Sequence, residues 1–151
     1  SREFSLKANG KVTSVIPKNG YIYIDVDEKA KIELALDGTP RYVRASNKVP
    51  RLTGMTALMR GPLVYCFEGT DNDDVRSIRI DRSQKPFAGE FEPDLLGGTI
   101  QLTAKAFRAE DCDDLYSCEA EKLTPCDAVA VPYYTWGNRA ENDMRVWMNT
   151  I

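Results

Sequence analysis

The order of its segments predicts an all-β protein, an antiparallel β-sandwich of jelly-roll type with about nine strands. Two observations carry that reading. Short apolar runs alternate with polar residues at a period of two. Gly, Pro and Asn interrupt these runs at short intervals, so no stretch sustains the 3.6-residue period of a helix.

The first element is a hairpin over residues 3–16. Phe4, Leu6 and Ala8 alternate with Ser5 and Lys7, Asn9-Gly10 suits the two positive φ angles of a type I′ turn, and Val12 begins a second run. Turn chemistry at Pro17-Lys18-Asn19-Gly20 leads into a half-buried strand with Ile22, Ile24 and Val26 on one face. Asp27-Glu28-Lys29 is a charged turn, and Ile32, Leu34 and Leu36 mark the next strand, whose polar face meets water. Asp37-Gly38-Thr39-Pro40 breaks the pattern. A short segment at 42–45 and a connector at 47–50 follow, which puts a domain boundary between residues 48 and 49.

A run at 55–59 then passes through Arg60-Gly61-Pro62 into Leu63-Val64-Tyr65-Cys66-Phe67, which is apolar on both faces and so predicts a central strand covered on both sides. Residues 69–74 are a polar loop, and Val75, Ile78 and Ile80 mark a weaker strand. Residues 81–98, rich in Pro, Gly and charge, read as a long ordered loop. Alternation over 99–106 is a clean strand; residues 110–127 are acidic, with room for a helical turn over 114–122. Strands over 129–136 and 144–148 close the series.

Composition narrows the function. A net charge of -3 with scattered Lys and Arg offers no basic stripe, which excludes nucleic acid as a partner. No apolar run reaches the roughly 20 residues of a membrane helix. The opening SREFSLKANG holds no apolar signal core and begins in a strand-like run, so the chain reads as a fragment and its compartment stays open. Histidine is absent, and Ser-His or Cys-His nucleophilic groups cannot be assembled. The four cysteines form no C-x-x-C pair, which argues against a zinc site; they read as free thiols, with a Cys112 to Cys118 small-loop disulfide left open.

Two acidic runs offer candidate acid and base pairs for glycoside hydrolysis, Glu68 with Asp71, Asp73 and Asp74, and Asp111 with Asp113 and Asp114. Both read as solvated loops, and the first lacks the spacing of a calcium loop. Cys66 sits in an apolar strand and reads as a small buried hydrophobe. Gly97-Gly98 lacks a dinucleotide fingerprint and reads as a turn. In Pro132-Tyr133-Tyr134-Thr135-Trp136, period-two alternation puts Tyr134 and Trp136 on one face and Tyr133 on the other. Such rings stack on sugars or pack in a core or against another domain. Asn138 and Arg139 beside them bind a sugar or fix the hairpin.

Taken in order, NGY (19–21), IELAL (32–36), TALMRGPLVYCFEGTDN (56–72), EPDLLGG (92–98), VPYYTWGNR (131–139) and MRVW (144–147) resemble the C-terminal part of glycoside hydrolase family 127, the β-L-arabinofuranosidase-like proteins. That resemblance implies an (α/α)6 catalytic barrel ahead of β-sandwich domains, of which this chain comprises only the latter. It implies a cysteine nucleophile, a glutamate and a Cys- and Glu-held zinc in the barrel; none of those motifs has a match here. The resemblance implies that 1–48 are the C-terminal part of a middle sandwich and 49–151 the C-terminal sandwich, packed separately or as one unit. The tryptophan and Gly-Asp turn usual before the IELAL-like strand are replaced by residues 25–30, which marks the first part as divergent or truncated.

The resulting expectation is a non-catalytic accessory region of a glycoside hydrolase, with no metal or cofactor of its own and no activity alone. Its partner is the N-terminal barrel of the same polypeptide, met by the second apolar face of the 63–67 strand or by the aromatics. The alternatives are a carbohydrate-binding module using Tyr133, Tyr134 and Trp136 with Asn138 and Arg139, and a homodimerisation surface.

Overall fold

Residues 4–151 are described in a computed structural model, and they contain twelve strands. The chain divides into two compact units, residues 1–38 and 39–151.

In the first unit β1 (Phe4–Ala8) lies between β2 (Lys11–Val12) and β3 (Ile32–Leu36), both antiparallel to it. Asn9 and Gly10, at φ 49° and 76°, make the expected hairpin turn; residue 3, where that hairpin was expected to begin, lies outside the described residues. A second tight turn places Asn19 and Gly20 at φ 53° and 83° between paired Lys18 and Tyr21. The strand expected over 22–26 does not form. Its alternation is real, yet no neighbouring segment supplies a ladder partner, and alternation without pairing leaves an irregular extended run. In β3 the apolar Ile32, Leu34 and Leu36 are exposed along with the polar face.

The second unit begins with β4 (Pro40–Arg44), which pairs along its length with β5 (Met55–Arg60). The sequence had put β4 ahead of its 48/49 boundary. Next come β6 (Leu63–Glu68), β7 (Ile78–Ile80), β8 (Phe87–Glu92), β9 (Thr99–Ala109), β10 (Leu123–Pro132), β11 (Met144–Arg145) and β12 (Met148–Thr150). Pairing runs β5 to β6, β6 to β10, β10 to β9, β9 to β7, β7 to β12 and β12 back to β5, so the two layers of the sandwich are joined into a closed circuit. Only the β7 to β12 pair is parallel among these. Closure removes free edges from the six strands that hold the core.

That core alternates large with small. Ala130 on β10 stands opposite Leu102 of β9 on one side and Phe67 of β6 on the other, and Ala104 faces Ala128. Tyr65, Phe67, Leu58, Ile78, Ile80 and Met148 fill the space the alanines leave, all of them buried. The sequence reads β6 as covered on both faces; Tyr65, Cys66, Phe67 and Glu68 are buried, whereas Val64, on the face it shares with Cys66, is exposed. Within the second unit this second face is therefore covered at Cys66 and open at Val64.

Three further differences have local causes. Residues 81–98 contain β8, hidden from pattern reading because Gly89 and a register shift between Ala88 and Phe91 break the alternation. There is no helical turn over 114–122, and β10 starts at Leu123 because the long β9 offers a partner back to Ala109. The strand expected over 129–136 ends at Pro132, whose missing N–H cannot extend the ladder, and a 3-10 turn, Tyr133–Thr135, takes over. Gly98 has a specific role. At φ +99° it lets the Phe91 ring close over the backbone, where an added Cβ would lie 2.8 Å from Phe91 Cζ.

Candidate functional site

The end of β6 delivers Glu68 into the protein with 1% of its surface exposed. A single helical turn, Gly69–Asn72, follows immediately and brings Asp71 back beside it. The turn is pinned by Asn72, whose side-chain amide donates to the Glu68 and Val129 carbonyls and whose oxygen accepts from the Val129 N–H, at 2.9, 2.8 and 2.8 Å. The Gly69 N–H donates to the Asn142 side chain and the Asp143 carbonyl, which ties the loop 137–143 to the same place.

Into this pocket of carboxylates comes Arg139. Its guanidinium donates to Asp71 Oδ1 at 2.8 Å and is shared between Glu68 Oε2 and Asp71 Oδ2. The hydrogen bonds to Asp71, seconded by Glu68, hold the guanidinium pKa above its ordinary value. The other oxygen of Glu68 accepts from the Gly137 N–H at 2.7 Å. One buried carboxylate thereby anchors both ends of the segment 137–139, and a charge this deep is stable only because every oxygen has a charged or N–H partner.

The aromatic turn stands on that frame. Thr135 Oγ1 donates to the Pro132 carbonyl at 2.7 Å and the Asn138 amide donates to the Thr135 carbonyl at 3.0 Å. Tyr133, Tyr134 and Trp136 are held outward, 45%, 64% and 45% exposed. They lie on and directly after a 3-10 turn, so the strand-face assignment that separated Tyr133 from Tyr134 and Trp136 does not apply. Of the five residues singled out for sugar contact, three rings face solvent. Asn138 gives its amide N–H, and Arg139 both terminal nitrogens, to the frame, while Arg139 Nε is buried without a partner.

Reading Glu68 and Asp71 as solvated loop charges is overturned by their burial and their shared arginine. What hides this in the sequence is distance: Glu68 and Arg139 are 71 residues apart. Asp73 and Asp74 do face water, and Asp74 caps the Arg76 N–H, which holds its carboxyl below the usual range. Asp111, Asp113 and Asp114 are exposed. Two carboxylates bonded to one guanidinium in a buried knot do not flank a substrate cleft as a hydrolytic acid and base must. Cys66 is fully buried, and burial, then the nearby Glu68, pushes its thiol up to about 12, the reverse of an activated nucleophile. Among the described residues no cluster of three or more metal-ligating side chains occurs.

With that geometry in view, the comparisons with known proteins are informative. Residues 40–149 match the model of the glycoside hydrolase family 127 C-terminal domain. The chain is 35% identical over 154 aligned positions to a non-reducing end β-L-arabinofuranosidase of Bifidobacterium longum, covering 95% of this chain and 23% of that protein. Among solved structures it is similar to a family 127 β-L-arabinofuranosidase from Geobacillus stearothermophilus, with a TM-score of 0.82 and 30% identity over 99% of this chain and 25% of that one. A second family 127 β-arabinofuranosidase superposes with a TM-score of 0.79 at 29% identity, over 99% of this chain and 23% of its own length. The chain therefore spans about a quarter of the length of these relatives. It belongs to glycoside hydrolase family 127, and what it contributes to that family is the C-terminal, β-sandwich accessory domain.

Proposed function

We propose that this chain braces the catalytic part of a β-L-arabinofuranosidase, with the helical barrel of the same polypeptide as its partner and the aromatic turn as a contact. The observation that carries the reading is the contrast within the second unit. The β6 face that carries Tyr65 and Phe67 is buried in the core, while three aromatic rings project from a turn fixed by a buried ion cluster. Rigid aromatics lose little entropy on docking, which suits them to a permanent contact. The first unit, with Val12, Ile16, Tyr21 and Leu34 exposed, is read as the closing part of a middle sandwich completed elsewhere in the polypeptide. The test compares turnover of an aryl β-L-arabinofuranoside by the 151-residue chain and by the whole polypeptide. Only the latter is expected to hydrolyse it, and Tyr134→Ser with Trp136→Ser should lower its melting temperature. Robust turnover by the 151-residue chain overturns the reading.

A second reading is supported by the same exposed rings: Tyr133, Tyr134 and Trp136 form a platform for an arabino-oligosaccharide, with Asn138 and Arg139 holding it in shape. A saturable change in Trp136 fluorescence, kept in a Trp147→Phe background and lost in Trp136→Phe, would support it. Light scattering on the same samples reports homodimer formation, the remaining use for this surface.

A further inference from the structure

The fold treats its four thiols in two ways. Cys66 is buried and Cys126 half-buried, with burial pushing the Cys126 thiol up. Cys112 and Cys118 are exposed, and both lie on the connection from β9 to β10. The stem of that connection is pinned: Ala109 pairs with Leu123, and the Glu110 N–H donates to the Lys122 carbonyl at 2.9 Å. An ion pair at 2.6 Å between Arg79 and Glu121 adds a tether from β7. Between these anchors every residue is exposed and none is in a helix or strand, so the backbone can shift without breaking a buried contact. Cys112 and both chain neighbours of Cys118, Ser117 and Glu119, line one hollow of about 340 Å³.

We propose that Cys112 and Cys118 are a reversible dithiol pair that closes an intraloop disulfide, restraining Leu115 and Tyr116 at the tip. Those two apolar side chains are 95% and 92% exposed. The oxidant is a small disulfide of the glutathione class. One cysteine, as its thiolate, attacks a sulfur of the oxidant and expels the first glutathione thiolate. The second cysteine gives up its proton and attacks the protein sulfur of the mixed disulfide, expelling the second. Two protein thiols are oxidised and one small disulfide is reduced to two thiols. Charge favours the second step. A mixed disulfide holds an anionic tripeptide among Asp111, Asp113, Asp114 and Glu119, and ring closure releases it. A bridge needs Cα atoms within about 4.4–6.8 Å; to reach it the Cys112 thiol gives up the exposed hydrogen bond it donates to the Asp114 carbonyl at 3.0 Å.

The experiment equilibrates the 151-residue chain in glutathione buffers of rising oxidised fraction, blocks free thiols by alkylation and maps the peptides. Cys112 should appear joined to Cys118, with Cys66 alkylated only after denaturation, and dithiothreitol should restore both thiols. Cleavage after Tyr116 by chymotrypsin should slow several-fold in the oxidised form. Cys126→Ser should keep the bridge, and Cys112→Ser should leave Cys118 carrying glutathione. Glutathione on Cys112 or Cys118 of the unsubstituted chain at saturation, a Cys118 to Cys126 bridge, or two free thiols in the most oxidising buffer would each overturn the proposal.

Discussion

Glu68 and Arg139 come from opposite ends of the second unit and meet as a buried carboxylate and the guanidinium that neutralises it. The pair joins the end of the central strand to the loop that carries the aromatic turn. It converts a surface segment into part of the folded framework.

Removing the arginine alone is therefore expected to be severe. Arg139→Ala leaves Glu68 buried without its cation and should cost about 3–5 kcal/mol in urea unfolding. Glu68→Gln keeps an acceptor for the Gly137 N–H and leaves Arg139 bound to Asp71, so it should cost distinctly less. Equal losses for the two variants would show that the charge on Glu68 is not what the arginine secures.

Asn72 offers a test of the same region without charge. Its amide joins the helical turn to β10 through two hydrogen bonds with Val129 and to the end of β6 through a third, to the Glu68 carbonyl, while 2% exposed. Asn72→Ala leaves buried backbone groups unpaired and should lower stability by about 2–4 kcal/mol, at roughly 1–3 kcal/mol per orphaned group with partial relaxation. Asn72→Asp should be no milder, since a carboxylate cannot donate to the two carbonyls.

Cys66 sets a pH dependence. Its thiol ionises at about 12 in the fold against an ordinary 9.0 in the unfolded chain. Below pH 9 both states hold the proton and the stabilisation is complete. Above it the unfolded chain releases a proton that the folded chain keeps, so stability should fall by about 1.4 kcal/mol per pH unit until the folded thiol titrates. Tyr42, raised to about 12 by burial, adds a similar slope from pH 10 upward. Urea unfolding between pH 8 and 11 should show a shallower decline for Cys66→Ala.

The two adjacent glycines separate backbone strain from steric contact. Gly97 at φ +78° has open space around an added Cβ, whereas Gly98 at φ +99° has Phe91 in the way. Gly97→Ala should cost about 1–2 kcal/mol from its left-handed conformation alone. Gly98→Ala should cost up to about 1 kcal/mol more, the lower end of overpacking, because the half-exposed Phe91 ring can swing aside. Adding Phe91→Leu to Gly98→Ala should recover part of that excess in thermal unfolding.

Most strands were legible because their pairing reinforces a local pattern. β1, β3, β6 and β9 all carry period-two alternation or a double apolar face, and Asn9-Gly10 announced its hairpin by the φ angles it needs. β8 and residues 22–26 show the opposite failures. A bulge concealed a real strand in the first, and in the second a good pattern found no partner. The aromatic turn was visible as composition, yet its shape was not, because Pro132 ends the ladder one residue before the tyrosines. The ion cluster was illegible for a simpler reason. An isolated Glu and Asp in a polar loop look solvated until the fold returns an arginine from far along the chain.

The bulge in β8 carries a different kind of consequence. β8 has β9 on one side and no strand on the other among the described residues, and Phe87 and Phe91 lie exposed along it. A flat edge of that kind would template addition of a further strand from another molecule and so seed cross-β growth. The register shift between Ala88 and Phe91 twists the edge out of line, and Glu90 and Glu92 set negative charge on any strand that approached in register. The irregularity that hid β8 from pattern reading is thus what guards the protein against aggregation at that edge.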